Sequence, residues 1–360
     1  MGIDGERMLP CPGVEMFLDS NDDLYLLPIP GREQLRIDAP WGRWVRASLG
    51  GQSLASMPLE LAEEIARIID WLVDMTFVRP ERSLRSDATQ HWDRQVRWLA
   101  QESGDGPERQ QRLMDATVLV VGVGGLGSTV ADLLARAGVG TLILADDDSV
   151  EAANLARQTL FAASDVGRLK VDAAASRLRA IAPEVRVERS SRRIRGSGDV
   201  AALFAAHDPQ LVFCAADRPP VAIKSWVEDA ASAYGVAVMH GGHRPPLVYA
   251  GPFFVPGLSC CYECFARSRA GSGTERLEAE LAVWRDTEPP QLPAVGWGDS
   301  AAASLLVGQC VQWLTGIADP ALLGRELELD LTTLQTRWIN GPDIPQCPRC
   351  DGARTMPTSD

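Results

Sequence analysis

The chain has 360 residues, enough for two domains, and its 46% hydrophobic and 23% charged residues are the balance of a globular protein with a sizeable core. A formal net charge of -13 repels phosphodiester backbones and anionic lipid faces, which argues against nucleic acid and membranes as partners. The start Met1-Gly2-Ile3-Asp4-Gly5-Glu6 lacks the basic start and apolar run of a signal peptide, and the apolar stretch 301–314 is broken by Ser304, Gly308, Gln309 and Gln312, so a cytoplasmic protein is expected.

The first 80 residues read as a small α+β module. Short apolar runs, Val14 to Leu18 and Leu24 to Leu27, flank the turn 19–23 and predict a hairpin. A helix is expected from Ala39-Pro40 to Gly50-Gly51. A second follows Pro58, with Leu61, Ile65, Ile68, Ile69 and Leu72 at helical spacing. Residues 81–110 are charged and polar and read as a linker, a helix from His91 to Leu99, and a loop.

From residue 111 to 360 strands and helices alternate. Thr117 to Val121, Thr141 to Ala145 and Leu211 to Ala215 read as strands, with helices at Ser128 to Ala137 and Val171 to Ala182. This order predicts an α/β, Rossmann-like, mostly parallel sheet with helices on both faces. The small module in front of it has a winged-helix-like order.

Gly122-Val123-Gly124-Gly125-Leu126-Gly127 joins the first of these strands to its helix. Gly122, Gly124, Gly125 and Gly127 let the backbone turn tightly and approach a phosphate at the helix N-terminus. Asp146, 19 residues after Gly127, ends the next strand, where a carboxylate holds ribose hydroxyls. An NAD enzyme is the default reading of that pattern alone. The segment from Asp146 to Gln158, with Gly167 to Lys170, favours ATP instead. Breaking a triphosphate needs cations where charge grows, and Arg157 and Lys170 are such cations. Asp217, just past the strand 211–215, suits Mg²⁺, which takes carboxylate and phosphate oxygens.

Together these motifs resemble the ubiquitin-activating-type (MoeB/ThiF/HesA) adenylating enzymes. The matching residues are Gly122-x-Gly124-Gly125-Leu126-Gly127, Asp146-x-Asp148, Asn154-Leu155-x-Arg157-Gln158, Gly167-x-x-Lys170 and Asp217. The resemblance implies an ATP-dependent adenylyltransferase in which Asp146 binds ribose and Asp148 lies nearby. It implies that Asn154, Arg157, Gln158 and Lys170 line the phosphates and that Asp217 handles Mg²⁺. It also implies a homodimer, with Arg94 of Asp93-Arg94-Gln95 reaching the partner's site as a catalytic arginine. Arg218 stands where the family usually has Asn, which leaves that Asn's role unfilled.

Eight cysteines are present, and two pairs, Cys261-x-x-Cys264 and Cys347-x-x-Cys350, can supply four thiolates to one Zn²⁺ in a closed structural site. A redox role for a single pair is the alternative. Cys214 and Cys310 fall on predicted core elements, and Cys260 adjoins the first pair. The crossover 266–296 has no cysteine to accept an acyl group as a thioester, and its Gly/Ser-rich 271–275 reads as a lid. His240 and His243 flank Gly241-Gly242; a base pair is conceivable, and a loop role is preferred.

Residues 1–80 resemble PqqD, a small leader-peptide-binding domain, in their order of elements. Such a domain in front of an adenylating domain is similar to MccB/PaaA-type peptide-maturation enzymes. The implied substrate is a carboxylate on a ribosomally made precursor peptide; the alternative is a ubiquitin-like sulfur-carrier protein. A degenerate docking scaffold is a further reading, disfavoured by the retained phosphate clamp.

Overall fold

Separate apolar cores organise two units of the computed structural model, Met1–Arg112 and Leu113–Asp360. The structure describes residues 7–11, 13–27, 34–84, 91–100, 105–220, 222–269, 293–342 and 350.

In the first unit, β1 (Met8–Pro10) pairs antiparallel with β5 (Val78–Pro80). β2 (Glu15–Leu18), β3 (Leu24–Leu27) and β4 (Leu35–Ile37) form an antiparallel sheet in the order β2-β3-β4. Helices α1 (Trp41–Leu49) and α2 (Leu59–Asp74) cover it. Leu24 and Leu26 alternate inward on β3, and Ile65, Ile69 and Leu72 recur on one face of α2, so both periodicities converge on one core. Short α3 (Glu81–Leu84) and α4 (Asp93–Leu99) follow. The loop expected near residue 106 is helix α5 (Gly106–Asp115). Its surface is largely charged, and Gly106, Gln110 and Leu113 are its buried residues.

The second unit is one eight-stranded sheet. Its elements are β6 (Thr117–Val121), α6 (Gly125–Ala137), β7 (Thr141–Ala145), α7 (Lys170–Ile181) and β8 (Arg186–Ser190). Then come α8 (Ser197–His207), β9 (Leu211–Cys214), α9 (Ala222–Tyr234), β10 (Ala237–Arg244) and β11 (Leu247–Phe254). The chain continues as α10 (Tyr262–Arg269), α11 (Gly296–Thr315), β12 (Arg325–Asp330) and β13 (Thr336–Asn340). The order is β13-β12-β11-β10-β9-β6-β7-β8. Strands β10, β9, β6, β7 and β8 are mutually parallel, and β11 to β13 extend the edge antiparallel.

Strands β6 and β7 are near-continuous apolar runs because both faces are covered. Helices α8, α9 and α10 contribute to the core on one face. Helix α11 packs on α6, β10 and β11. The helix expected from Ser128 begins at Gly125, so the glycine turn itself supplies the helix's first residues. The histidine segment expected as a loop is part of β10. Among the described residues no helix is long and apolar enough to cross a membrane.

Candidate functional site

The parallel strands run outward from β6 in both directions, to β7 and β8 on one side and to β9 and β10 on the other. The carboxyl ends of β6, β7 and β9 therefore open a crevice at a topological switch point, where α/β sheets bind ligands. A cavity of about 210 Å³ lies there, lined by Gly122, Gly124, Asp146, Asp148, Lys170 and Asp217, among others.

Each lining group is placed by local chemistry. Gly122 has φ +88°, and an added Cβ would lie 2.7 Å from the Ala216 nitrogen, so strand, turn and strand close only around glycine. At Gly127 a Cβ would fall 1.8 Å from the Gly122 carbonyl oxygen, which lets α6 start directly on the turn. Gly124 is the N-cap of α6 and no side chain caps it, so the first N–H groups stay available to an anion.

Asp146 follows β7. Its Oδ2 accepts from the Val123 N–H at 2.6 Å and its Oδ1 from the Asp148 N–H at 2.9 Å. Burial raises its carboxyl above the ordinary range, and Lys170 with those two N–H groups oppose that shift. Each carboxylate oxygen keeps a second lone pair, which is the acceptor set a ribose diol needs. Lys170 is the first residue of α7; its Nζ sits 2.7 Å from Asp148 Oδ2, with the lysine side chain 8% exposed and the aspartate 67%. An otherwise buried cation thus faces the cavity, paired with the exposed Asp148 carboxylate and within the field of Asp146.

Asp217 is exposed at the cavity rim, just beyond β9, in the setting a hydrated Mg²⁺ uses. Arg218, in place of the family's Asn, also lines the cavity. Asn154 is buried, and its Oδ1 accepts from the Glu151 N–H at 3.0 Å, so it caps a 3-10 turn. Gln158 is buried beside Gly124, with Nε2 3.9 Å from where a Cβ would stand and with Oε1 unbonded. Arg157 is half-buried and donates to the Ala153 carbonyl at 3.0 Å. Of these three, Gln158 lies beside the glycine turn, and none of them lines the cavity itself. Arg94 is an exposed residue of α4 in the first unit.

Sequence reasoning missed Arg192 and Arg193, which line the cavity; Arg193 lies 3.9 Å from Asp147. Their signal was position, since they directly follow a strand of the parallel sheet. It also missed Asp299, on the first turn of α11, whose Oδ1 lies 3.6 Å from His243 Nδ1. His240 is the second histidine's opposite. It is buried, with Nε2 2.7 Å from Glu228 Oε1 on α9, and packs against Phe254 and Tyr262. Burial lowers its pKa, so it is a neutral core group.

The Cys261, Cys264 and Cys350 sulfurs all lie within 4.8 Å of one another, and Cys264 Sγ is 3.9 Å from Cys350 Sγ. Tetrahedral thiolates at the usual Zn–S length stand ~3.8 Å apart. The three described thiols therefore fit a zinc ion, while Cys347 and the proposed lid 271–275 lie outside the described residues. Cys214 and Cys310 are buried; burial pushes the Cys214 thiol up to about 12 and raises that of Cys310, as befits inert core groups.

Residues 93–349 match the ThiF family, and the chain belongs to that family. The sulfur carrier protein adenylyltransferase of Thermus thermophilus is 34% identical over 255 residues, covering 70% of this chain and 88% of that protein. The molybdopterin-synthase adenylyltransferase of Escherichia coli is 30% identical, covering 67% and 89%. The chain is an ATP-dependent adenylyltransferase, with the glycine turn, Asp146 and the buried Lys170 at one crevice. Among solved structures, E. coli MccB with MccA-N7isoASN superposes with a TM-score of 0.74 at 20% identity, covering 95% of this chain and 99% of that one. PaaA superposes with a TM-score of 0.72 at 22% identity, covering 91% and 98%. These two likenesses extend the shared fold beyond the ThiF match to nearly the whole chain.

Proposed function

We propose that the enzyme adenylates a carboxylate on a ribosomally made precursor peptide, and that the first unit binds the peptide's leader. The observation that carries this reading is the whole-chain likeness to MccB, whose complexes contain MccA, together with a sheet edge fit for a peptide. Among the described residues β2 pairs with β3 alone, and its Phe17 is 44% exposed and stacked on Tyr25. An added strand would find backbone hydrogen bonds and an aromatic surface there. In this reading residues 1–80 form a PqqD-like domain, 81–110 a connecting segment, and 111–360 the adenylating domain.

In the reaction, the substrate carboxylate attacks the α-phosphorus of ATP and pyrophosphate leaves. Asp146 holds the ribose, and the α6 N-terminus faces the α-phosphate. Lys170 exchanges Asp148 for phosphate oxygens, and Arg157 and Gln158 attend the same charge. Asp217 would hold Mg²⁺, which neutralises the triphosphate. Arg94 would come from the second copy in a homodimer. Cys261, Cys264, Cys347 and Cys350 would hold a structural Zn²⁺.

The 30–34% identity to sulfur-carrier activators favours a second reading, in which a ubiquitin-like protein is the substrate. ATP–pyrophosphate exchange separates the two. The full chain is assayed with the precursor peptide encoded beside its gene, and with a carrier protein ending in Gly-Gly. Exchange is expected with the peptide alone. Removal of residues 1–80 should abolish peptide turnover; unchanged turnover would refute leader binding.

A further inference from the structure

Asp299 and His243 stand beside the glycine turn, yet formation of an adenylate gives them nothing to do. The start of α11 packs on the Ala156–Arg157 segment, since a Cβ on Gly296 would lie 3.2 Å from both the Ala156 oxygen and the Arg157 Cα. This puts Asp299 against α6: a Cβ on Gly125 would stand 2.0 Å from Asp299 Oδ2. The other oxygen, Oδ1, faces His243 Nδ1 at 3.6 Å. The His243 side chain is fully buried, and neither ring nitrogen has a hydrogen-bond partner. Its Nε2 abuts Gly298, where a Cβ would come within 2.2 Å. Exposed Trp297 lies beside the ring at 6.4 Å between centroids.

This arrangement is expensive for an enzyme that only makes adenylates. A buried polar group left unbonded destabilises the fold. A carboxylate against the first residue of α6 competes with the phosphates for that helix end and repels the incoming substrate carboxylate. That substrate is already ionised at neutral pH and needs no base. A base has work only afterwards, when a nucleophile that carries a proton attacks the activated acyl carbon.

We propose that Asp299, oriented by His243, accepts the proton of an N–H nucleophile that attacks the acyl-adenylate in this same site, so that the product is an amide. The proposal rests on the adenylation reading above. The nitrogen lone pair forms the N–C bond, and the C–O bond to phosphate breaks with its electron pair leaving on AMP. The N–H proton passes to Asp299 Oδ2. Burial pushes the Asp299 carboxyl up to about 6, against the pull of Arg157, which brings it near the working range of a general base. Burial lowers the His243 pKa, so the ring is neutral and offers one N–H to Oδ1 without adding charge. The 3.6 Å separation is of the kind that shortens when substrate binds. Among the described residues, Arg157 and His243 are the titratable or charged groups found to act on this carboxylate.

The test uses the full chain and chemically made acetyl-adenylate, which supplies the activated acyl group directly. Pyrophosphate converts it to ATP, which reads the adenylation site, and glycinamide converts it to N-acetylglycinamide, which reads the proposed step. Wild type should accelerate both. In Asp299→Asn the ratio of aminolysis to ATP synthesis should fall about 100-fold, the lower part of the range for general bases. Hydroxylamine, a stronger nucleophile that needs less help from a base, should show a smaller fall in that ratio. His243→Ala should lower the ratio about tenfold, and His243→Asn, which keeps a donor near Nδ1, should recover it. An unchanged ratio in Asp299→Asn overturns the proposal. So does an equal loss of both rates, which assigns Asp299 to nucleotide binding, and so does a wild type that makes ATP without accelerating aminolysis. If wild type makes no ATP, the adenylation reading falls and this one with it.

Discussion

Replacing Gly127 by alanine tests whether the glycine turn shapes the nucleotide seat. The added methyl would stand 1.8 Å from the Gly122 carbonyl oxygen and 3.2 Å from Ala215 Cβ, whereas real Cβ contacts essentially never fall below 3.0 Å. The first turn of α6 and the glycine turn must therefore separate by at least about 1.2 Å, and the clash is with backbone, which cannot rotate away. Overpacking of this kind costs about 1–3 kcal/mol in stability. Misplacement of a phosphate-binding N-terminus by ~1 Å costs about 100-fold in rate. Urea unfolding measures the first effect and the rate of ATP–pyrophosphate exchange the second, with calorimetric titration of Mg-ATP reading the nucleotide seat itself. Gly308→Ala is the control. Gly308 lies inside α11 with nothing within 4 Å of an added Cβ, and alanine there should gain about 0.5–1 kcal/mol with unchanged ATP affinity. A Gly127→Ala protein that binds ATP within twofold of wild type, at a stability within about 0.5 kcal/mol, would refute the packing argument.

The Lys170–Asp148 pair should respond asymmetrically. Lys170→Met leaves a solvated carboxylate, so urea midpoints should hardly move while ATP affinity falls about 100-fold; Asp148→Ala takes the hydrogen-bonded partner from a buried ammonium, leaving only the field of Asp146, and should cost about 1–3 kcal/mol. For Asp299, the folded-state pKa of about 6 lies above the unfolded value, so the folded protein holds a proton that the unfolded chain releases. Stability should therefore fall as pH rises from about 4 to about 6, by about 3 kcal/mol, and Asp299→Asn should lack that slope in urea melts taken across the range. Elemental analysis of wild type should find about one zinc per chain, and Cys261→Ser or Cys264→Ser should carry none and melt lower.

The parts of the fold legible in the sequence are those with strong local signals. The helices at 41–49 and 59–74 carry apolar spacing on one face and a proline near the start, and β6 and β7 are unbroken apolar runs. The antiparallel edge was not legible. β10 contains Gly241-Gly242 and β11 contains Gly251-Pro252, which locally resemble turns and are strands only because each pairs with a neighbour. Helix α5 failed for another reason: its polar surface hides a single anchoring stripe with Gln110 and Leu113. The nucleotide crevice was readable because its glycines and Asp146 belong to one short βαβ segment. Asp299 was not, because it meets Gly125 and His243 only through the packing of α11, far along the chain.

The two histidines of β10 are three positions apart, so alternation sends them to opposite faces of the sheet, one toward Glu228 and the other toward Asp299. A slip of that strand by one residue would turn both imidazoles away from their carboxylates at once. The placement of the two rings is therefore a two-sided mark of the strand's alignment, with the His240–Glu228 hydrogen bond holding one side. A protein of this fold that lost them could keep its hydrophobic layers and still mispair at the centre of its sheet.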